Sequence, residues 1–271
     1  MILAVDIGNS AAKAAIVDGD DVLESGRLDT SVASGEDLLD GLRVLVGKLD
    51  EPPAGVITVS VVDRWTERLE HAAHELGLPL TVVAASHIPI STALARPDRT
   101  GPDRLLAAWA ASRLYGSPVI VVDLGTATTV DAVDADGFFL GGAIAPGLGL
   151  AADALAEGTA RLPRIEVHLP DEAIGTDTAG AIASGVVIGH IGVVRELALR
   201  MHAKIADPAA PTKVVITGGY SEAGWAHAAW RAPAGPGLPI IADALDPELV
   251  LRGLGLLAEH MGTRPSAGAP R

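Results

Sequence analysis

Two turns in this sequence combine glycine with side chains that could bind phosphate. The first follows the apolar run 2–7, which carries Asp6 and leads into Gly8-Asn9-Ser10, and the second follows 119–124, which carries Asp123 and leads into Gly125-Thr126. Glycine lets a backbone approach a phosphate closely, N–H groups and hydroxyls donate to its oxygens, and an aspartate can hold a cation or its waters. Either turn alone is weak evidence, because aspartate and glycine are common turn formers. Two of them at the starts of two similar halves favour binding of a polyphosphate.

Lys13 and a third glycine turn could complete such a site. Lys13 follows the first turn, where it would add a positive charge or would simply be a solvated lysine of a strand. Thr217-Gly218-Gly219 lies between an apolar strand and a helix, where it would seat a nucleoside or only allow close packing of the two elements. The sequence lacks the Gly-Lys-Ser/Thr loop, and no Gly-x-Gly-x-x-Gly follows the first strand, so P-loop and Rossmann sites are not favoured.

The composition restricts how an anion can be held. The chain has 271 residues, 20 basic and 34 acidic side chains, a formal net charge of −14 and no cysteine. The lack of cysteine excludes disulfides, thiolate zinc sites and a thiol nucleophile, and the acidic balance disfavours nucleic-acid and membrane-surface binding. The N-terminus does not resemble a signal peptide, and the uncharged stretch 178–194 is too short to cross a bilayer, so we expect a soluble, cytoplasmic protein. A phosphate must then be bound locally, by backbone N–H groups, a few basic residues or a metal ion.

Strands and helices alternate along the chain, which predicts mostly parallel sheets covered by helices. The layout of residues 3–13 recurs at 119–131, so we predict two duplicated α/β domains, 1–116 and 117–262, with a cleft between them and a disordered tail at 263–271. The predicted strands are 2–7, 11–17, 22–28, 56–62, 80–84, 118–124, 127–131, 138–144 and 213–216, and the predicted helices are 35–49, 65–76, 105–115, 148–157, 178–200, 221–229 and 247–260.

In order, these motifs resemble those of the actin-like ATPase superfamily of sugar kinases, Hsp70 and actin, and within it the type III pantothenate kinases. Residues 6–13, Asp6-Ile7-Gly8-Asn9-Ser10-Ala11-Ala12-Lys13, are similar to the first phosphate turn of that family, and 123–131 are similar to its second. Gly101-Pro102-Asp103-Arg104 matches its Gly-x-Asp-Arg signature, and the segments 141–147, 159–163 and 175–178 follow in family order. The resemblance covers nearly the whole chain. It implies an actin-like, ribonuclease H-like fold with the nucleotide in the cleft between the domains.

The resemblance also implies a reaction, the transfer of the γ-phosphoryl group of Mg²⁺-bound ATP to the primary hydroxyl of pantothenate, the first step toward coenzyme A. Asp103 would accept the proton, and Arg104, with Gly101 and Pro102, would bind pantothenate, whose carboxylate suits a guanidinium group. Residues 6–13, Gly125 and Thr126 would contact ATP, with Asp6 near the Mg²⁺.

Two further implications of the resemblance concern a cation and a second subunit. Asp123 would bind a monovalent cation, K⁺ or NH₄⁺. Thr178 would contact the substrate of the neighbouring subunit, which implies a homodimer. The apolar segment 179–194 then suits an interface helix, although a core helix fits its sequence equally well.

Four positions depart from the family pattern, namely Ser10 for threonine, Asp177 for asparagine, Leu94 for a tyrosine found in many members, and Pro102 for a small residue. Taken alone, Asp103 could be an ordinary aspartate of a helix N-terminus, where the helix dipole favours its ionised form and weakens it as a base. Another small-molecule kinase or a phosphohydrolase on the same fold remains an alternative, because the phosphate turns indicate ATP better than they indicate the acceptor. A nucleotide-binding regulator without turnover is a second alternative.

Overall fold

The computed structural model describes residues 1–30, 33–92, 94–231 and 242–262. The tail predicted at 263–271 lies outside the described residues. The chain divides into two compact units, one formed by Met1–Ile90, Ala95–Ala110 and the residues from Glu248 onward, the other by Ser91–Leu94 and Ala111–Pro247.

The secondary structure follows the predicted alternation of strands and helices. The predicted helix at 221–229 is instead a 3₁₀ turn, Gly219–Glu222, followed by a short helix, and a two-residue strand at 244–245 was not predicted. The strands are β1 (Ile2–Ile7), β2 (Ala11–Asp18), β3 (Asp21–Asp29), β4 (Val56–Ser60), β5 (Leu80–Val82), β6 (Val119–Leu124), β7 (Ala127–Val133), β8 (Phe139–Pro146), β9 (Lys213–Thr217) and β10 (Ala244–Leu245). The helices are α1 (Gly35–Val46), α2 (Asp63–Glu75), α3 (Pro102–Tyr115), α4 (Leu148–Gly158), α5 (Thr178–Ala183), α6 (Gly189–Ile205), α7 (Ala226–Arg231) and α8 (Leu249–His260).

The two sheets repeat one topology. The strand order is β3-β2-β1-β4-β5 in the first unit and β8-β7-β6-β9-β10 in the second, so each sheet joins an antiparallel three-stranded meander to two parallel strands. The turn after the first strand differs, because Gly8-Asn9-Ser10 joins β1 to β2 while Gly125-Thr126 alone joins β6 to β7. The predicted duplication is therefore confirmed in topology, with unequal turns.

The core of the first unit lies between its sheet and the helices α1 and α2. Helix α1 begins with a capping box, in which Ser34 accepts the N–H of Asp37 and the Asp37 side chain accepts the N–H of Ser34. Its buried face, Leu38, Leu42 and Leu45, belongs to the same core as β1 and β2. Burial of that face supplies most of the stability of a helix of this length.

Helix α8 belongs to the first unit, whereas the predicted domain limits grouped it with residues 117–262. Gly255 explains this placement, because a Cβ there would overlap the main-chain carbonyl of Gly19 in the β2–β3 turn. Arg252 of the same helix donates to Asp20 in that turn at 3.1 Å. The two ends of the chain therefore pack together.

Helices α5 and α6 join through a π-helical turn, Ser184–Ile188, into one helical segment of 28 residues, Thr178–Ile205. By length and composition alone this segment is a candidate membrane span, which the shorter uncharged stretch 178–194 did not indicate. Ile182, Val187 and Val194 on one face are buried in the hydrophobic core of the second unit. Part of this segment is therefore a core helix of the second unit.

Candidate active site

The first phosphate turn closes the β1–β2 hairpin. The N–H of Gly8 donates to the carbonyl of Ala11 at 2.9 Å. Asp6 and Lys13 are directly opposite each other in the register of the two strands, so their side chains share one face of the sheet. The structure thus brings the predicted ATP-binding residues 6–13 into one hairpin, with a positive charge beside the carboxylate.

Thr30, which directly follows β3, is hydrogen-bonded to this turn, and no pattern in the sequence predicts that contact. The buried side chain of Thr30 donates its hydroxyl to the carbonyl of Asn9 at 3.1 Å, and its N–H donates to the carbonyl of Ser10 at 3.2 Å. The link joins residues about 20 positions apart, and a single threonine has no periodic or local pattern from which to predict it.

The second phosphate turn lies against the N-terminus of α4. The N–H of Gly147 donates to the carbonyl of Thr126 at 3.0 Å, and a Cβ at residue 147 would overlap the carbonyl oxygens of Gly125 and Thr126. Gly147 provides no side-chain cap, and the first turn of α4 has no acidic residue. The N–H groups and positive dipole end of α4 therefore lie beside the turn, which is an arrangement that favours a bound anion.

The third glycine turn packs on Asp123. Gly218 has φ +89°, and a Cβ there would overlap Oδ1 of Asp123 and the main chain of Leu124. Tyr220, in the 3₁₀ turn that follows, places its hydroxyl 2.9 Å from the position that a Cβ of Gly149 would take. The sequence analysis did not single out Tyr220. The carboxyl ends of β6 and β9 thus bring together Asp123, the second phosphate turn, the start of α4 and the third glycine turn, all within the second unit.

Gly101-Pro-Asp-Arg104 forms the start of α3. Pro102 occupies the first helical position, where its missing N–H costs nothing. Oδ1 of Asp103 accepts the N–H of Arg104 at 2.9 Å and lies where a Cβ of residue 101 would be. A side chain at 101 would therefore displace the folded-back Asp103 carboxylate from this position. Both charged side chains are only half-buried, so solvent and substrate can reach them.

Leu94 packs against β8 in the second unit. Its Cδ2 lies 3.1 Å from the position of a Cβ on Gly141, which has φ +102°. Two residues just before it, Ser91 and Thr92, pair with the same strand. Thr92 forms a β-bridge with Phe139, and the N–H of Phe139 donates to the carbonyl of Ser91. Leucine in place of the usual tyrosine gives this position an apolar side chain.

Thr178 is the first residue of α5 and is exposed in the single chain. Asp177 is the N-cap of that helix, where its side chain accepts the N–H of Gly180 at 2.7 Å. Aspartate and asparagine cap helices about equally well, so this departure from the family pattern preserves the local structure. A Cβ on Gly175 would overlap the backbone of residues 180 and 181, which explains the glycine that starts this motif.

His190 of α6 is hydrogen-bonded to the strand that leaves the second phosphate turn. Its Nε2 lies 2.9 Å from Oγ1 of Thr128, and both side chains are buried. Burial lowers the pKa of His190 below its usual value of 6.5. The imidazole is therefore neutral at pH 7 and joins α6 to β7 without a charge.

Two glycines lie beside the carboxylate of Asp123. Its Oδ1 is 3.4 Å from the Cβ position of Gly125 and lies where a Cβ of Gly218 would be, so the space beside the carboxylate is without side chains from these residues. Among the described residues, no group of three or more His, Asp or Glu side chains could hold a metal ion.

Comparison with solved structures supports the fold. Over 97% of its length the chain is similar to all of a conserved protein of Campylobacter jejuni assigned to the Baf family of transcriptional activators, with a TM-score of 0.58 and 20% identity. It is also similar to the ethanolamine utilization protein EutJ from Carboxydothermus hydrogenoformans, with a TM-score of 0.52, 19% identity and coverage of 94% and 89% of the two chains. At these identities the likeness shows the fold alone. The predicted actin-like α/β fold is confirmed.

Sequence comparison identifies the family. The chain is 36% identical over 262 residues to the type III pantothenate kinase of Dehalococcoides mccartyi, covering 94% of this chain and 96% of that protein. It is 34% identical over 277 residues to the type III pantothenate kinase of Streptomyces coelicolor, covering 97% of this chain and all of that protein. Residues 2–200 match the family described as type III pantothenate kinase. With both phosphate turns and the Gly-x-Asp-Arg loop in place, the chain belongs to the type III pantothenate kinase family.

Proposed function

We propose that this chain transfers the γ-phosphoryl group of ATP to pantothenate, giving 4′-phosphopantothenate for coenzyme A synthesis. The observation that carries the proposal is the Gly101-Pro-Asp-Arg104 loop, in which the carboxylate of Asp103 occupies the space left by Gly101 at the start of α3. The family relationship supports the same reaction.

Each phosphate turn offers donors to the phosphates of ATP. Residues 6–13 supply backbone N–H groups, the hydroxyl of Ser10 and the charge of Lys13, and Gly125, Thr126 and the start of α4 supply N–H groups. Phosphoryl transfer by kinases generally requires a divalent metal, and Mg²⁺ bound with ATP neutralises charge on the β- and γ-phosphates. Asp6 would hold this ion or its waters.

Asp103 orients the acceptor hydroxyl and takes its proton. Its position in the first turn of α3 stabilises the carboxylate form, which makes it a weak base. A weak base is sufficient, because phosphoryl transfer has a loose transition state in which the proton leaves late. Arg104, next to it on α3, binds the carboxylate of pantothenate through a charge-assisted hydrogen bond.

Asp123 would hold K⁺ or NH₄⁺ through its carboxylate. The cation would offset part of the negative charge that a triphosphate brings to a protein of net charge −14. The absence of cysteine agrees with a cytoplasmic enzyme.

A second copy of the chain completes the site. Thr178 is exposed on α5, Ile174 shortly before it is 84% exposed, and Val193 and Leu199 farther along the same helical segment are 44% and 47% exposed. Gly185, Gly189 and Gly192 on this segment have no atoms within 4 Å of a Cβ position, so the segment is open for close packing at these positions. We expect a homodimer in which Thr178 contacts the substrate bound to the partner subunit.

A coupled ADP-release assay, with and without pantothenate and in K⁺ and then Na⁺ buffer, tests the reaction. We expect ADP release that requires pantothenate and is faster in K⁺. Release without pantothenate would favour a phosphohydrolase, release only with another alcohol would favour a different small-molecule kinase, and no release under any condition would favour a nucleotide-binding regulator.

Mixed dimers test the shared site. Asp103→Ala and Thr178→Ala chains should each be inactive, and heterodimers formed from the two should regain part of the activity, because one of their two sites carries both native residues. Mixtures that stay inactive although heterodimers form would place Thr178 and Asp103 in the same subunit's site.

A further inference from the structure

Thr30 makes two hydrogen bonds to the first phosphate turn and lies outside every motif of the family. Its hydroxyl donates to the carbonyl of Asn9 at 3.1 Å and its N–H donates to the carbonyl of Ser10 at 3.2 Å. Thr30 is 3% exposed, so its hydroxyl has little access to water as an alternative partner. Two consecutive carbonyls of the turn are therefore held by one residue, which directly follows β3.

These two bonds determine where the N–H groups of the turn point. In a trans peptide the C=O and the N–H lie in the peptide plane and point in opposite directions. The peptide that carries the carbonyl of Asn9 carries the N–H of Ser10, and the peptide that carries the carbonyl of Ser10 carries the N–H of Ala11. With both carbonyls directed to Thr30, the N–H groups of Ser10 and Ala11 are directed away from β3.

The turn needs this support because its own sequence does not fix it. Gly8 has wide conformational freedom, and asparagine adopts several turn conformations readily. A turn that is ordered before ATP arrives avoids an ordering cost on binding, so its affinity for phosphate is higher. In the second phosphate turn, the N–H of Gly147 holds the carbonyl of Thr126 in a comparable way.

We propose that Thr30 is a positioning residue for ATP, which acts by holding the carbonyls of Asn9 and Ser10 so that the N–H groups of the first phosphate turn face the nucleotide. The proposal rests on the proposed function only in that the turn binds ATP phosphates. It does not depend on which alcohol is the acceptor.

Thr58 is a matched control. It is a fully buried threonine of the same sheet, on β4, and its hydroxyl donates to the carbonyl of Val5 at 2.7 Å. That carbonyl lies within β1, which pairs with strands on both sides, so the backbone there stays in place without the hydroxyl. Thr30→Val and Thr58→Val thus each remove one buried hydroxyl, but only the first removes it from the turn.

The test measures ATP binding by calorimetry, and also the KM for ATP and kcat, for Thr30→Val, Thr30→Ser and Thr58→Val. We expect Thr30→Val to weaken ATP binding by about tenfold, equivalent to about 1.4 kcal/mol, and to raise the KM for ATP far more than it lowers kcat. Thr30→Ser keeps the hydroxyl and should restore binding. Thr58→Val should lower the melting temperature without changing ATP affinity.

Unchanged ATP affinity in Thr30→Val, an equal loss in Thr58→Val, or no recovery in Thr30→Ser would each overturn the proposal. If Thr30→Val is too unstable to assay, amide hydrogen exchange of residues 9–11 in Thr30→Ala decides, since the proposal requires faster exchange there than in Thr58→Val. Wild-type protein that binds ATP but does not phosphorylate pantothenate would refute the proposed reaction and leave the role of Thr30 to be judged by binding alone.

Discussion

Replacement of Gly147 by alanine should separate the N-terminus of α4 from the second phosphate turn. Gly147 has φ −69° and ψ 167°, a conformation that alanine adopts without strain. The effect of the substitution therefore comes from contact alone, because the new methyl group would overlap the carbonyl oxygens of Gly125 and Thr126. These oxygens belong to the main chain and cannot rotate away, so the helix and the turn must move apart.

Two terms set the size of the effect. Loss of the hydrogen bond from Gly147 to Thr126, now 3.0 Å long, removes about 1 kcal/mol. A displacement approaching 1 Å at a site that positions a reacting group lowers the rate by up to about 100-fold. We therefore expect kcat/KM for ATP to fall between about 10- and 100-fold, which corresponds to about 1.4 to 2.7 kcal/mol of transition-state stabilisation.

The assay is steady-state ADP release at saturating pantothenate, with the melting temperature measured alongside. Gly158→Ala is the matched control, because it changes the last residue of the same helix and has no atom within 4 Å of the new Cβ. It should raise stability by up to about 1 kcal/mol and leave kcat/KM unchanged. If Gly147→Ala retained the wild-type kcat/KM, the contact between α4 and the turn would have no part in binding ATP.

Three further substitutions have distinct expected outcomes. Asp103→Asn should abolish turnover and preserve the melting temperature, and turnover near the wild-type rate would remove Asp103 from the mechanism. Burial lowers the pKa of His190 in the folded protein below 6.5, so the stability that its neutral form provides above that pH is lost as the pH falls toward the folded pKa. The melting temperature of His190→Gln should therefore fall less steeply with acidification than that of the wild type. Equal slopes would contradict this prediction. Ser34→Ala removes the α1 cap and should reduce the free energy of unfolding by about 1 kcal/mol with kcat and KM unchanged, whereas a kinetic change would indicate a role beyond capping.

Local patterns in the sequence were sufficient to predict the hairpins that carry the phosphate turns. An apolar run, an aspartate and a glycine turn occur at 2–8 and at 119–125, and both form a strand followed by a tight turn. Gly101-Pro-Asp-Arg104 was likewise placed at the start of a helix, because proline and aspartate favour the first helical turn. These features depend on neighbouring residues, so the sequence determines them directly.

The supports of the site could not be predicted in this way. Thr30 donates to Asn9, 21 residues before it, and Gly147 donates to Thr126, also 21 residues before it. The acceptors are main-chain carbonyls, which no side-chain pattern marks. The placement of α8 depends on a contact between the two ends of the chain, where Gly255 meets Gly19. Each of these contacts exists only after the sheets have formed.

The π-helical turn at Ser184–Ile188 sets the rotational phase between Thr178 and α6. A π turn hydrogen-bonds five residues apart instead of four, so it accommodates a residue that a regular α-helix would not. Each residue turns an α-helix by about 100°, so if the same residues of Ser184–Ile188 adopted regular α-helical geometry, Thr178 would turn by nearly that angle around the helix axis relative to α6. The side of the helix on which that hydroxyl emerges thus depends on the hydrogen-bonding pattern of this turn rather than on any one side chain.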